Sequence, residues 1–148
     1  MSAEHLRGLA PRQSDWFTLD AARVRAFADA TDDWQFIHLD PVRAAAETPF
    51  GGAIAHGFLT LSMLSAMSYQ VTDGLPGIAS SVNYGFDRIR FVAPVRVGSR
   101  VRGLFTVSHV TEGRGFYDVQ WDVSIEIEGG DRPALVAVWI TRMITGDP

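Results

Sequence analysis

The sequence predicts an α+β domain in which an antiparallel sheet curls around one apolar helix. Short helical segments come first, a long uncharged segment lies between Glu47 and Asp73, and segments rich in β-branched and aromatic residues make up the rest. With 148 residues, 47% of them apolar and 20% charged, the chain is long enough for one hydrophobic core and short for two. We therefore expect residues 1–148 to form a single domain, with residues 1–13 as a flexible or loosely packed N-terminal segment.

Two short helices are predicted in the first third of the chain. One covers residues 20–30, where Asp20 is a favourable N-cap and apolar residues recur at helical spacing. The other begins at Asp40, a carboxylate N-cap that is followed by Pro41 at the first helical position. Residues 31–39 therefore form an irregular connection between two rigid elements, and functional side chains tend to gather in such connections.

A buried helix is predicted in the centre of the chain, over residues 53–69. This segment is apolar or small on every face, so we expect the sheet to enclose it. Its start is rich in glycine and small residues, and the free backbone amides near Ala55, His56 and Gly57 are expected to face a ligand. Such amides stabilise negative charge on a carbonyl oxygen. The side chain of His56 is expected to be structural.

Four segments have the composition of β-strands. They cover residues 78–91, 99–110, 115–128 and 134–144. Glycine-rich turn sequences separate the last three segments, which predicts a consecutive antiparallel meander. A sheet of this kind wrapped on one helix leaves an edge strand and an apolar rim uncovered, so we expect a homodimer.

The composition argues against several functional classes. The 13 basic and 17 acidic residues give a formal charge of −4, and the arginines are scattered, so the sequence lacks the basic footprint that nucleic-acid binding requires. The chain has no cysteine, which excludes disulfides, thiolate metal sites and cysteine nucleophiles. No apolar run near the start resembles a signal peptide and no segment approaches a membrane span, so a cytoplasmic protein without membrane contact is expected.

The candidate catalytic residues are Asp33 and His38, a carboxylate and an imidazole five positions apart. On a regular helix the two side chains would point to different faces, so residues 34–36 are expected to form a non-helical turn that lets them converge. A converging pair can hold one water molecule for acid–base chemistry. An isolated pair of this kind is more often a turn carboxylate and a structural histidine, and the wider sequence context is what favours catalysis.

Three segments, in order, resemble a known family. Residues 27–41, 50–60 and 83–99 look like motifs of the MaoC-like dehydratase family, most closely of its R-specific enoyl-CoA hydratase and nodulation protein N-like branch. The resemblance spans about residues 14–145. It implies a hot-dog fold, in which an antiparallel sheet wraps around a long central helix, and this is the α+β arrangement expected above.

The resemblance implies roles for individual residues. Asp33 and His38 fall on the two catalytic positions of the family, whereas Asp32 stands where glycine is usual, and Gln35 and Phe36 replace the usual Asn-Pro. The implied reaction is (R)-specific hydration of a trans-2-enoyl thioester, carried by coenzyme A or an acyl carrier, with a water held by Asp33 and His38. No metal and no cofactor other than the coenzyme A thioester substrate is implied.

The resemblance also places the substrate. The backbone at Ala55, His56 and Gly57 matches the segment whose amide is expected to hold the thioester oxygen. An acyl tunnel is expected beside the central helix. Its candidate lining residues are Leu59, Met63 and Tyr84. Two domains of this family pair their sheets, so the implied functional unit is a homodimer with the active site near the interface.

Three alternatives stay open. Hot-dog domains also hydrolyse acyl thioesters, although the spacing of Asp33 and His38 disfavours a thioesterase. A second alternative is the same reaction on acyl carrier protein or a polyketide chain in place of coenzyme A. The third is a non-catalytic acyl-thioester-binding protein in which Asp32, beside Asp33, has disrupted the water site.

Overall fold

The computed structural model describes residues 1–146, and all five of the described helices precede the four long strands. The helices are α1 (Ala3–Arg7), α2 (Ala21–Thr31), α3 (Phe36–Leu39), α4 (Pro41–Glu47) and α5 (Gly57–Thr72). The strands are β1 (Arg12–Gln13), β2 (Phe17–Thr18), β3 (Ile78–Phe91), β4 (Arg100–Gly113), β5 (Phe116–Ile127) and β6 (Leu135–Thr145). The predicted helices after Asp20 and Asp40 and the four predicted strands are confirmed, because each boundary lies within three residues of its predicted position.

One antiparallel sheet contains these strands. Its order is β1-β4-β5-β6-β3, and β2 also pairs with β4. The pairs β4–β5 and β5–β6 form the predicted meander, with registers such as Val110 opposite Val119 and Val119 opposite Thr141. β3 pairs with β6, the last strand in the sequence, and not with β4, which follows it. β3 therefore forms one edge of the sheet.

The hydrophobic core lies between α5 and one face of the sheet. Alternate residues of the meander strands point inward, and Phe105, Trp121 and Leu135 are buried in the same cluster as Leu64 and Met67 of α5. Each such side chain stabilises the fold by about 1.5–3 kcal/mol through its removal from water. The predicted α+β arrangement, a sheet around one central helix, is confirmed.

The central helix begins four residues later than predicted. Residues 53–55 are extended instead of helical: Ile54 forms a β-bridge with Arg96, and the Ala55 amide donates to the Val95 carbonyl at 2.8 Å. This short ribbon occupies the backbone groups that a helix starting at residue 53 would need, so α5 starts at Gly57 with His56 as its N-cap. Within residues 1–146, no helix has both the length and the apolar character needed to cross a membrane.

The N-terminal segment is packed on the sheet, which differs from the expected flexible or loosely packed segment. Leu6 of α1 is fully buried in the core cluster. The Arg7 guanidinium donates to the Val110 carbonyl at 2.9 Å, and that of Arg12 donates to the Val71 carbonyl at 2.6 Å. One leucine on a short helix anchors this segment to the core.

Large apolar side chains stay exposed around the β3 edge. Val82, Tyr84 and Phe91 of β3 are each more than half exposed, as are Phe58 and Tyr69 of α5. The rings of Phe58 and Phe91 meet edge-on with centroids 6.2 Å apart, so the two elements form one continuous surface there. An uncovered strand edge beside apolar side chains is a typical protein interface.

Candidate active site

The connection between α2 and α4 bends as predicted. α2 ends at Asp32, which adopts the left-handed conformation at φ 59° and ψ 26°, and the Asp33 amide closes the helix by donating to the Ala28 carbonyl at 3.2 Å. The single helical turn of α3 follows and carries His38. Because the chain changes direction between the two helices, Asp33 and His38 point to the same region.

Asp33 and His38 come close together, and His56 joins them. One carboxylate oxygen of Asp33 and one ring nitrogen of each histidine all lie within 4.8 Å of one another. Two hydrogen bonds of about 2.8 Å that meet at a tetrahedral water oxygen span about 4.6 Å. The spacing therefore suits one water molecule bridging the carboxylate and an imidazole. The same three residues offer the donor types that a metal ion would need.

A backbone hydrogen bond fixes the tautomer of His38. Its Nδ1 lies 2.6 Å from the carbonyl oxygen of Ile54, and since a carbonyl can only accept, Nδ1 carries the proton. Nε2 is then left with a lone pair and can accept a proton. Asp33, by contrast, is exposed, and its carboxylate accepts a hydrogen bond from the Gln35 amide at 3.4 Å.

The surroundings of His38 favour its neutral form. Burial lowers the pKa of His38 below its ordinary value of 6.5, and the nearby His56 acts in the same direction. The hydrogen bond to Ile54 and the charge of Asp33 oppose this shift without reversing it. At neutral pH His38 is therefore an uncharged proton acceptor beside a carboxylate.

His56 takes part in the site through its side chain, which the sequence did not predict. Its Nε2 lies 3.0 Å from the main-chain oxygen of Asp33, and its ring stacks on His38 with centroids 3.8 Å apart. The sequence signal for this role was weak, because a histidine at a helix start most often caps or packs. His56 makes no side-chain capping bond to its helix.

The backbone amides at the start of α5 are only partly available. The Ala55 amide is bonded to Val95, so the expectation that it faces a ligand is corrected. His56 and Gly57 occupy the N-cap and the first position of α5, where amides have no partner within their own helix. Gly57 also lies close to the Phe91 ring, since a Cβ atom at this position would be 3.1 Å from it.

An apolar cavity of about 420 Å³ lies beside His38 and the start of α5. Its wall includes Ile37, Phe50, Ile54, Gly57, Thr60 and Phe91. An apolar chamber with the imidazole of His38 in its wall suits an acyl chain with a reactive group at one end.

The three residues predicted to line an acyl tunnel lie elsewhere in the described chain. Leu59 and Met63 are buried in the core cluster, on α5. Tyr84 is exposed, with the Arg142 guanidinium 4.3 Å from its ring centroid. Arg142 lies on the face of β6 opposite to the buried Thr141 and Met143, so Tyr84 is on the outer side of the sheet. None of the three contributes to the wall of the cavity beside His38, and their role in a tunnel stays a prediction.

The chain matches a known domain family over most of its length. The model of the MaoC-like domain matches residues 3–127. The chain belongs to the MaoC-like family. This result confirms the family that the three sequence motifs predicted, and the fold is the hot-dog fold of that family.

Proteins similar to this MaoC-like protein include a nodulation protein, a dehydratase and an (R)-hydratase. Nodulation protein N of Rhizobium leguminosarum bv. viciae is 51% identical over 140 residues, which cover 92% of this chain and 84% of the relative. 3-Hydroxyacyl-thioester dehydratase Z of Mycobacterium tuberculosis is 45% identical over 133 residues, which cover 89% and 87%. The solved structure of the (R)-hydratase from A. caviae involved in PHA biosynthesis superposes with a TM-score of 0.71 at 28% identity, covering 90% of this chain and 94% of that one.

Proposed function

We propose that this MaoC-like protein is an (R)-specific enoyl-thioester hydratase that also catalyses the reverse dehydration. The observation that carries the proposal is the proximity of the Asp33 carboxylate to a neutral His38 whose Nε2 is free to accept a proton, with His38 in the wall of an apolar cavity. A dehydratase and an (R)-hydratase among the similar proteins support this reaction type.

The geometry supports a defined position for the reacting water. Both Asp33 and His38 Nε2 are acceptors, so a water between them directs its two hydrogens to the pair and a lone pair of its oxygen to the substrate. The oxygen bonds to C3 of the enoyl group while the double-bond electrons move to C2 and onto the thioester oxygen. One water proton passes to the Asp33/His38 pair, and the same pair then protonates C2. Because the two groups are coupled, the proton belongs to the pair and not to one member.

The start of α5 supplies the second part of the proposed mechanism. Negative charge develops on the thioester oxygen in the transition state, and the amides of His56 and Gly57 are in the helical positions that stabilise such charge. The apolar cavity takes the acyl chain, and the carrier is coenzyme A or an acyl carrier. This chemistry requires no metal ion and no redox cofactor.

We also propose that the active form is a homodimer. The β3 edge and the exposed apolar residues Phe58, Tyr69 and Phe91 form a surface that a second copy can cover by extending the sheet. Covering Phe91 would also close the cavity wall to which it belongs.

The test is an assay of the purified 148-residue chain with crotonyl-CoA and a medium-chain enoyl-CoA. The enoyl-thioester absorbance and the release of free thiol are followed in parallel, and the product is analysed for chirality. The proposal predicts loss of enoyl absorbance without thiol release and an (R)-3-hydroxyacyl product. Thiol release would identify a thioesterase, and substrate binding without either signal would identify a non-catalytic acyl-thioester-binding protein.

A further inference from the structure

His56 contacts both members of the proposed catalytic pair, although it is one of the most deeply buried polar residues. It is 2% exposed and lies at the junction of α5 with the bend between α2 and α4. Its ring touches His38 on one side and meets the Phe27 ring at a centroid distance of 4.9 Å. Burying the nitrogen atoms of an imidazole is unfavourable unless they form hydrogen bonds, so the contacts of His56 indicate why the ring is placed there.

The first contact ties Asp33 to the central helix. Nε2 of His56 lies 3.0 Å from the Asp33 carbonyl, and because a carbonyl can only accept, Nε2 carries the proton and donates. The amide of Asp33 is already bonded to Ala28. Both backbone polar groups of Asp33 are thus held, one by α2 and one by His56, which fixes the point from which the carboxylate extends.

The second contact of His56 is a stacking contact with the face of the His38 ring. The two imidazoles stack at 3.8 Å with an angle of 26° between their planes. The hydrogen bond from Nδ1 to Ile54 holds the His38 ring at its edge, and His56 supports its face. Edge and face contacts together leave the His38 ring little freedom to rotate beside Asp33.

The remaining nitrogen of His56 agrees with the Nε2–H tautomer. Nδ1 is buried and has no hydrogen-bond partner within residues 1–146. Protonating it would create a buried N–H without an acceptor. The two stacked rings therefore carry opposite tautomers: the unprotonated nitrogen is Nε2 in His38 and the buried Nδ1 in His56.

We propose that His56 is a positioning residue of the hydratase site: its Nε2–H fixes the Asp33 backbone and its ring fixes the His38 imidazole. This inference rests on the proposed function, since it assigns to His56 the geometry of the pair that activates water. Small displacements of such a pair slow the chemical step more than they weaken substrate binding.

Two substitutions in the full-length chain separate the roles of the hydrogen bond and the ring. His56→Phe keeps a ring against His38 and removes the donor, whereas His56→Gln removes the ring and keeps an N–H donor at a similar reach. We expect His56→Phe to lower kcat for enoyl-thioester hydration by about tenfold or more with KM changed less than about twofold, and His56→Gln to recover most of the loss. A folded His56→Phe protein with the kcat of the wild type, or a His56→Gln protein as impaired as His56→Phe, would overturn the inference. Thermal melting of each variant checks the fold.

A measurement on the wild type keeps this inference separate from the proposed function. Long-range ¹H–¹⁵N correlation NMR reports which imidazole nitrogen is protonated, and the chain has only 4 histidines to assign. We expect the Nε2–H form for His56 and the Nδ1–H form for His38 at neutral pH. A His56 ring protonated at Nδ1 would overturn the inference whatever the activity. If the expected tautomers occur in a protein that hydrates no enoyl thioester, the proposed function fails while the contact geometry of His56 stands.

Discussion

The imidazoles of His38 and His56 stack with centroids 3.8 Å apart, and each donates a hydrogen bond to a different main-chain carbonyl. His38 donates through Nδ1 to Ile54, and His56 donates through Nε2 to Asp33. One ring therefore keeps its Nε2 free close to Asp33, and the other ring holds the Asp33 backbone. This relationship links α3, α5 and the end of α2 in one small site.

The structure explains Asp32, which stands where the family usually has glycine. Asp32 ends α2 in the left-handed conformation that glycine adopts without strain, and its side chain is exposed. We predict that Asp32→Gly raises the free energy of unfolding by about 0.5–1 kcal/mol, measured by urea denaturation. Hydratase activity should stay unchanged. A large gain in activity would instead support a water site that Asp32 disrupts.

The activity should depend on the protonation state of His38. Its pKa lies below 6.5 because of burial, and only the neutral ring has a free Nε2. We predict that kcat/KM stays level as the pH falls from 8 to about 6.5 and declines only at lower pH. A decline centred above pH 7 would contradict this assignment.

The same lowered pKa makes His38 a source of acid sensitivity in folding. The unfolded chain binds a proton at His38 more readily than the folded chain does, so the stabilising contribution is complete above about pH 6.5 and is lost as the pH falls toward the folded pKa. In His38→Gln, the stability should fall less steeply with decreasing pH in this window. Equal pH dependence in both proteins, measured by thermal melting, would argue against a lowered pKa.

The cavity wall should tolerate little added volume at Gly57. A Cβ at this position would lie 3.1 Å from the Phe91 ring, whereas a Cβ at Gly85 would meet no heavy atom within 4 Å. We predict that Gly57→Ala lowers kcat/KM for enoyl thioesters by about tenfold, which is about 1.4 kcal/mol, while Gly85→Ala changes it little. Equal effects of the two substitutions on kcat/KM would show that the cavity wall at Gly57 accommodates an added methyl group.

The proposed dimer can be tested through Phe58, which is 70% exposed and packs edge-on against Phe91. Light scattering should give the wild type a mass close to twice the 16.2 kDa of one chain. Phe58→Glu places a charge on this apolar surface and should give monomers, whereas Val42→Glu, at a still more exposed position of α4, should leave the dimer intact. A monomeric wild type would contradict the proposed assembly.

Local signals made much of the fold predictable. Asp20 and Asp40 cap the helices that follow them, with side chains that accept from Arg23 and Arg43. The strand composition of residues 99–110, 115–128 and 134–144 and the glycine-rich turns between them predicted the meander, because strand propensity and turn chemistry are encoded over a few residues.

Features that depend on distant contacts were harder to predict. The pairing of residues 53–55 with 95–97 delays the start of α5 and occupies the Ala55 amide, and no local pattern reveals such a pairing. The role of His56 is of the same kind, since its partners Asp33 and His38 are about twenty residues away in the sequence. The convergence of Asp33 and His38 was predicted only because the wider motif was present.

The most direct test of the central claim compares crotonyl-CoA hydration by the wild type, Asp33→Asn, His38→Gln and Asp32→Asn, with thermal melting of each protein as the check on folding. If Asp33 and His38 hold and activate the water, each of their substitutions lowers kcat by about 100-fold or more, and Asp32→Asn remains close to the wild type. Folded Asp33→Asn and His38→Gln proteins that retain wild-type turnover would contradict the account.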